Sequence, residues 1–368
     1  MIRVLVTGGA GFIGNALVTQ LLERGDRVTV LDSLVAAEPD WDAPFAAELR
    51  DGRLRFIHGD VTDLATVEDA MAAAGADGPG TGRAGTDLVV HLAASTDIAG
   101  GFADPSLDFD GCIRATWNVA EAMRRQDVRR ILYASSGVVY GPMIPAPSAE
   151  SDGPLQPQSH YAAGKLAGEA ILSGFAHLYG WRALAFRFGN TVGPRSNHGV
   201  VFDFVVKLLR DPTRLEILGD GRQAKPYVAV DDVARALLHA EAHAPDRPFG
   251  VYNVGTSGVV TVDRLADLVI EAMGLDPAGV AREHTGTGGG WRGDTDRVEF
   301  DMSALHAIGW QPRFSAEEAL TRAAMGAWDR VLAAGPPYLT SFERRALAKE
   351  PAGASAAGDA MPVGARSR

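Results

Sequence analysis

In the first half of the chain, apolar residues fall into short, almost unbroken runs at 3–7, 28–31, 54–57, 88–92 and 130–134. Runs of this length, rich in Val, Leu and Ile and lacking polar alternation, predict strands covered on both faces. Between them, apolar positions recur every three or four residues over 13–24, 64–74 and 108–125, the period of amphipathic helices. Parallel strands need a crossover connection, so strands alternating with helices predict an α/β fold with a doubly wound parallel sheet. The glycine-rich stretch 75–85 reads as a surface insertion before the fourth strand. The second half is less regular. A long helical pattern covers 161–179, a strand follows at 183–188, and helices are predicted at 202–209, 230–242, 262–273 and 316–332, with a glycine-rich loop at 286–290. No linker separates the halves. The expected organisation is a main domain over 1–180 and a smaller, partly interleaved C-terminal one over 181–335. Residues 341–368 are rich in Ala, Gly, Ser and Pro without periodicity and read as a disordered tail.

Composition narrows the range of partners. The chain has 35 basic and 46 acidic residues, a net charge of −11. That argues against nucleic acid and acidic membrane surfaces, which need a basic face, but a local pocket can still take an anion. Glycine is abundant, 43 of 368, which points to tight turns and close backbone approaches. The single cysteine, Cys112, rules out an internal disulfide framework and a cysteine-based zinc site. The N-terminal apolar run is broken by Gly8, Gly9, Gly11 and Gly14 and lacks the long core of a signal peptide. No run of about 20 apolar residues is present, so no membrane span is predicted and a cytoplasmic location is expected.

The same four glycines carry the first candidate chemistry. They lie between a strand and a helix and satisfy G-x-G-x-x-G as Gly9, Gly11 and Gly14. Gly8 and Gly11 let the backbone turn sharply and approach a pyrophosphate. Gly14 completes the pattern, and the helix start at Phe12 and Ile13 offers amides and a partial positive charge. The pattern predicts a Rossmann-type dinucleotide site. Asp32, at the end of the second strand, is placed to bond ribose hydroxyls and repel a 2′-phosphate, and no Arg or Lys lies between Arg27 and Arg50 to neutralise one. The expected cofactor is therefore NAD. Asp60 and Val61 follow the third strand on the adenine side, and the small residues of Leu92-Ala93-Ala94 follow the fourth. His91 reads as a buried structural residue, and no metal site is predicted.

A second constellation lies further on. Tyr161 and Lys165 are four residues apart at the start of a helix and share one face. An ammonium beside a phenol favours the phenolate and is expected to lower the tyrosine pKa from its usual value of about 10, which would make it a usable base. Ser135 and Ser136 end the fifth strand, where ligands bind in such sheets.

TGGAGFIG, Asp32, HLAAS, ASSGVVYG, Tyr161-x-x-x-Lys165 and RFGNTVGPR, in this order, resemble the extended short-chain dehydrogenase/reductases over roughly 1–330. More narrowly the chain is similar to the NAD-dependent nucleotide-sugar epimerases and dehydratases of the UDP-glucose 4-epimerase type. The resemblance implies that Tyr161 is the catalytic base, that Lys165 holds the nicotinamide ribose and tunes Tyr161, and that Ser136 bonds the reacting sugar oxygen. It implies that Asn190 contacts the substrate diphosphate, and a homodimer formed through the helices at 108–125 and 161–179. Lys225 stands at the family's phosphate-binding Arg, and Arg292 is one residue beyond another. Cys112 stands where the family usually has Asn.

The residues after Ser136 bear on the reaction. Family dehydratases carry an Asp-Glu pair there, and decarboxylases a Glu. Here Gly137 and Val138 can neither give nor take a proton. The expected reaction is therefore epimerisation at C4 of a nucleotide sugar, with UDP the expected nucleotide, through a transient 4-keto intermediate. Glycine at 137 is expected to leave room for the keto ring to turn. The alternatives are a dehydratase, decarboxylase or 4-ketoreductase on the same scaffold and, more remotely, a non-catalytic NAD-sensing protein.

Overall fold

In the computed structural model, residues 1–37, 40–75, 85–95, 98–142, 144, 146–286 and 297–334 are described. The apolar runs form β1 (Arg3–Thr7), β2 (Arg27–Asp32), β3 (Leu54–His58), β4 (Leu88–His91), β5 (Arg130–Ser136) and β6 (Arg182–Phe188). Short strands follow: β7 (Asn190–Val192), β8 (Arg214–Ile217), β9 (Ala224–Lys225) and β10 (Tyr227–Ala229). After them come β11 (Phe249–Val254), β12 (Val260–Thr261) and β13 (Ala281–His284). Seven strands make one sheet in the order β11-β6-β5-β4-β1-β2-β3, and every pair in it is parallel. β11 has no counterpart in the sequence reading. Among the described residues its one sheet partner is β6, paired from Phe249↔Ala183 to Val254↔Phe188, and only part of it is buried. Its apolar run is correspondingly short.

Two apolar layers sandwich the sheet. On one face pack Leu17 and Leu21 of the helix Phe12–Glu23 and Val233 and Leu237 of the helix Val230–His243. On the other lie Val67 and Met71 of Leu64–Gly75, Val119 and Met123 of Ala115–Arg125, and Leu172 of His160–Tyr179. The helix expected over 108–125 is interrupted: Phe109–Arg114 forms a wide π turn between Pro105–Asp108 and Ala115–Arg125. Gly111 sits in that turn, where a Cβ would come within 2.7 Å of the Ser95 amide nitrogen. The bulge brings the helix backbone against the segment after β4.

Met1–Trp328 form one compact unit, and Asp329–Arg368 a second, of which the described part is the end of the helix Ala316–Ala334. The tail expected over 341–368 lies outside the described residues. No described helix is long and apolar enough to cross a membrane.

Candidate active site

β1 has β2 on one side and β4 on the other, so the chain order reverses at β1 and opens a crevice at the strand ends. The glycine loop lies in that crevice. Gly8 has φ +73°, and its amide donates to Leu31 O at 2.9 Å. A Cβ at Gly8 would lie 2.7 Å from the Ala93 nitrogen, and one at Gly14 2.2 Å from Gly8 O. Only glycine fits both close approaches. The helix Phe12–Glu23 opens at Gly11 with no side-chain cap, so its amide-rich end is left to a ligand.

Asp32 is fastened to this loop. One carboxylate oxygen accepts from Ala10 N at 3.0 Å and the other from Leu34 N at 2.8 Å. Burial raises its pKa, and these two donors and His58 oppose the rise. Asp60 accepts from Thr62 N at 2.8 Å, and Val61 beside it is buried. Asn118 was not anticipated: its amide donates to Val61 O at 3.1 Å and Thr62 O at 2.8 Å and holds the turn after β3. The available signal was a buried amide on an otherwise apolar helix face. The amides of Leu92 and Ala93 both reach Thr7 O at 3.1 Å, which brings these residues, and Ala94 after them, beside the loop. His91 lies between the hydroxyls of Thr7 (2.7 Å) and Thr116 (3.2 Å). Burial and then Lys165 depress its pKa to about 3, so it is a neutral, satisfied core residue.

Ser136, Tyr161 and Lys165 come together at the end of β5. Ser159 caps the helix His160–Tyr179 by accepting from Ala162 N at 3.1 Å, which sets Tyr161 in the first turn. Ser136 lies near enough to the Tyr161 hydroxyl to favour its ionised form. The Lys165 ammonium is buried, donates to Ala134 O at 2.7 Å and lies 5.7 Å from the Tyr161 ring centre. The expected depression of the Tyr161 pKa is not found. Burial raises it, Cys112 and Asp108 add to the rise, and Ser136 only partly offsets them. Lys165 is itself shifted down by burial. The cost of removing a phenolate from water outweighs the nearby cation.

A buried polar network below the site was also not anticipated. Ser135 donates to Glu169 at 2.5 Å, and Glu169 takes two hydrogen bonds from Arg187, at 3.0 and 2.8 Å. Arg187 lies 4.7 Å from the Tyr140 ring centre, and the Tyr140 hydroxyl donates to Asn253 at 2.7 Å. This ties together β5, β6, β11 and the Tyr161 helix. Glu169, four residues after Lys165, and a lone arginine inside an apolar strand were the visible signals.

The room expected at Gly137 is filled. A Cβ there would lie 2.3 Å from Phe300 Cζ, because the Phe300 ring occupies that space. Asn190 is exposed at the start of β7 and Lys225 is half-buried in β9. Asn190 pairs with Tyr227, two residues from Lys225, so both belong to one patch of backbone. Arg292 lies outside the described residues. Among the described residues, no group of three His, Cys, Asp or Glu is placed to hold a metal ion.

Residues 4–255 match the family model described as the NAD dependent epimerase/dehydratase family. A UDP-glucose 4-epimerase of Mycolicibacterium smegmatis is 33% identical over 326 residues, covering 87% of this chain and 96% of that protein. The crystal structure of Thermus thermophilus UDP-glucose 4-epimerase in complex with NAD has 33% identity and a TM-score of 0.74, over 89% of this chain and 99% of that one. A dTDP-glucose 4,6-dehydratase from Streptomyces venezuelae, with NAD bound, has 27% identity and a TM-score of 0.78, over 92% and 100%.

Proposed function

We propose, for a chain that belongs to the NAD-dependent epimerase/dehydratase family, that it epimerises a UDP-sugar at C4 through a transient 4-keto intermediate. The observation that carries the reading is the Ser136–Tyr161–Lys165 cluster next to a position, Gly137, that bears no acid and has Phe300 packed against it. The glycine cradle and Asp32 fit NAD, with Gly8, Gly11, Phe12, Ile13 and Gly14 at the pyrophosphate, Asp32 at the ribose, Asp60 and Val61 at the adenine, and Leu92, Ala93 and Ala94 alongside. NAD, when bound, supplies a reversible hydride acceptor for C4. Ionised Tyr161 accepts the proton of the 4-hydroxyl as C4 becomes a ketone, and returns it after reduction from the opposite face. Ser136 holds the reacting oxygen. Lys165 binds the nicotinamide ribose and supports the phenolate. Asn190, Lys225 and Arg292 anchor the diphosphate while the keto ring turns. In this reading cofactor binding and catalysis fall within 1–180, and most of the substrate nucleotide binds within 181–335.

The test is incubation with UDP-, dTDP- and GDP-sugars without added NAD. A product of unchanged mass, inverted at C4, is expected. The second reading is a 4,6-dehydratase, favoured by the higher TM-score of the Streptomyces structure, 0.78 against 0.74. A product lighter by one water would establish that reading and sink the first; loss of carbon dioxide would sink both. We further propose a cytoplasmic homodimer. Its two-helix face carries Trp117 (51% exposed) and Leu178 (78%).

A further inference from the structure

We propose that Phe300 decides which reaction this site performs, by filling the space in which a proton-transferring side chain at position 137 would stand. The inference deepens the epimerase reading and rests on it. Three glycines, one after each of β5, β6 and β11, converge on the Phe300 ring. A Cβ at Gly137 would lie 2.3 Å from Cζ, one at Gly255 3.1 Å from Cδ2, and one at Gly189 3.4 Å from Cε2. The ring is 4% exposed.

It is also held in place. Ser148 N donates to Glu299 O at 2.8 Å, Asp301 N returns to Ser148 O at 2.9 Å, and the Asn253 amide donates to Asp301 O at 3.0 Å. These bonds fix the backbone on either side of Phe300, so a new side chain at 137 must displace the buried ring itself, against the packing around it. Gly137 directly follows Ser136, the neighbour of Tyr161. A carboxyl grown from 137 would stand one residue from that pair.

Loss of water from a 4-keto sugar needs such a group. A base takes the proton from C5, the C5–H electron pair becomes the C5=C6 bond, and the C6 hydroxyl leaves as water after an acid protonates it. From the sequence alone, Gly137→Asp and Val138→Glu would supply the two groups. The packing adds a third requirement, removal of the Phe300 ring.

The test compares wild type, G137D/V138E and G137D/V138E/F300A by thermal unfolding and by the mass of products from UDP-glucose and dTDP-glucose. With Phe300 in place, the double variant should melt well below wild type. It should also lose more than about tenfold in turnover, because the site is displaced. The triple variant should regain much of the melting temperature and release a product lighter by one water. A double variant that melts like wild type, or that dehydrates sugar with Phe300 retained, overturns the proposal. A triple variant that regains stability without dehydrating reduces Phe300 to a packing residue and overturns it too, as does one that regains neither. If wild type itself releases the dehydrated product, the epimerase reading fails. The coupling in melting temperature between 137 and 300 still reports the packing in that case.

Discussion

Tyr161 can act as a base only when ionised, and its surroundings make ionisation costly. Burial raises its pKa above the ordinary value, with Cys112 and Asp108 adding to the rise. The ionised fraction at neutral pH is therefore small, so turnover should climb as pH rises. Tyr161→Phe should lose about 10²–10⁴-fold in turnover, the usual worth of a general base, while nucleotide-sugar binding is retained. Steady-state rates across pH and a calorimetric titration check both, and a variant within threefold of wild type, about 0.7 kcal/mol on the barrier, would remove Tyr161 from the mechanism. Asp32 has a different task. Its carboxylate is already bonded to Ala10 N and Leu34 N, so it is held in one orientation. Asp32→Asn keeps an acceptor but loses the charge. NAD should bind about 10–100-fold more weakly, the worth of a charged hydrogen bond, and rejection of NADP should shrink. Fluorescence titration of wild type and variant with both cofactors decides it. The reading of Asp32 fails if wild type binds NADP as tightly as NAD.

At the scale of elements, the Glu169–Arg187 pair, whose side chains are 6% and 4% exposed, ties the helix His160–Tyr179 to β6. Removing one partner of a buried pair leaves a charge without its counter-ion, which typically costs about 3–5 kcal/mol. Glu169→Ala should unfold at markedly lower urea than wild type and should also lower turnover, because Ser135 loses its acceptor next to Ser136. Denaturant titration checks the first effect. An unchanged midpoint would show that the pair contributes nothing. Element positions were largely legible in the chain: β1 was predicted at its observed bounds, and the helix containing Tyr161 to within one residue. β11 was not, because an edge strand with Gly250 in it and only part of its length buried has too short an apolar run to announce itself. The π turn at Phe109–Arg114 escaped for another reason. Its apolar period continues through the bulge, and the close contacts of Gly111 with Ser95 and of Cys112 with Gly164 come from distant parts of the chain.

For the whole molecule, the helices Ala115–Arg125 and His160–Tyr179 present a shared aromatic face. The Trp117 and Phe175 rings lie 5.4 Å apart, edge to face, and Tyr179 is 5.5 Å from Phe175. Trp117, Leu178 and Tyr179 remain 51%, 78% and 45% exposed. Exposed apolar residues grouped in this way suit burial against a second copy. The expectation is a dimer by light scattering at micromolar concentration, converted to monomer by Trp117→Asp with Leu178→Glu. A wild type that is monomeric under those conditions would end the dimer proposal.

The order of β1 to β6 and of the main helices between them, the glycine loop with Asp32, and the spacing of Ser136, Tyr161 and Lys165 were determined by the sequence alone. Each is a local pattern: a period of apolar residues, a turn that only glycine can make, two side chains one helical turn apart. Tertiary structure decided the rest. Whether Tyr161 is shifted up or down depends on how much water the fold removes from it, and neighbour spacing carries no record of that. Whether Gly137 leaves a gap depends on a ring at position 300, brought there by the Ser148 bridge and by loops after three separate strands. Burial and close packing are sums over residues distant in the chain, and they exist only once the chain has folded.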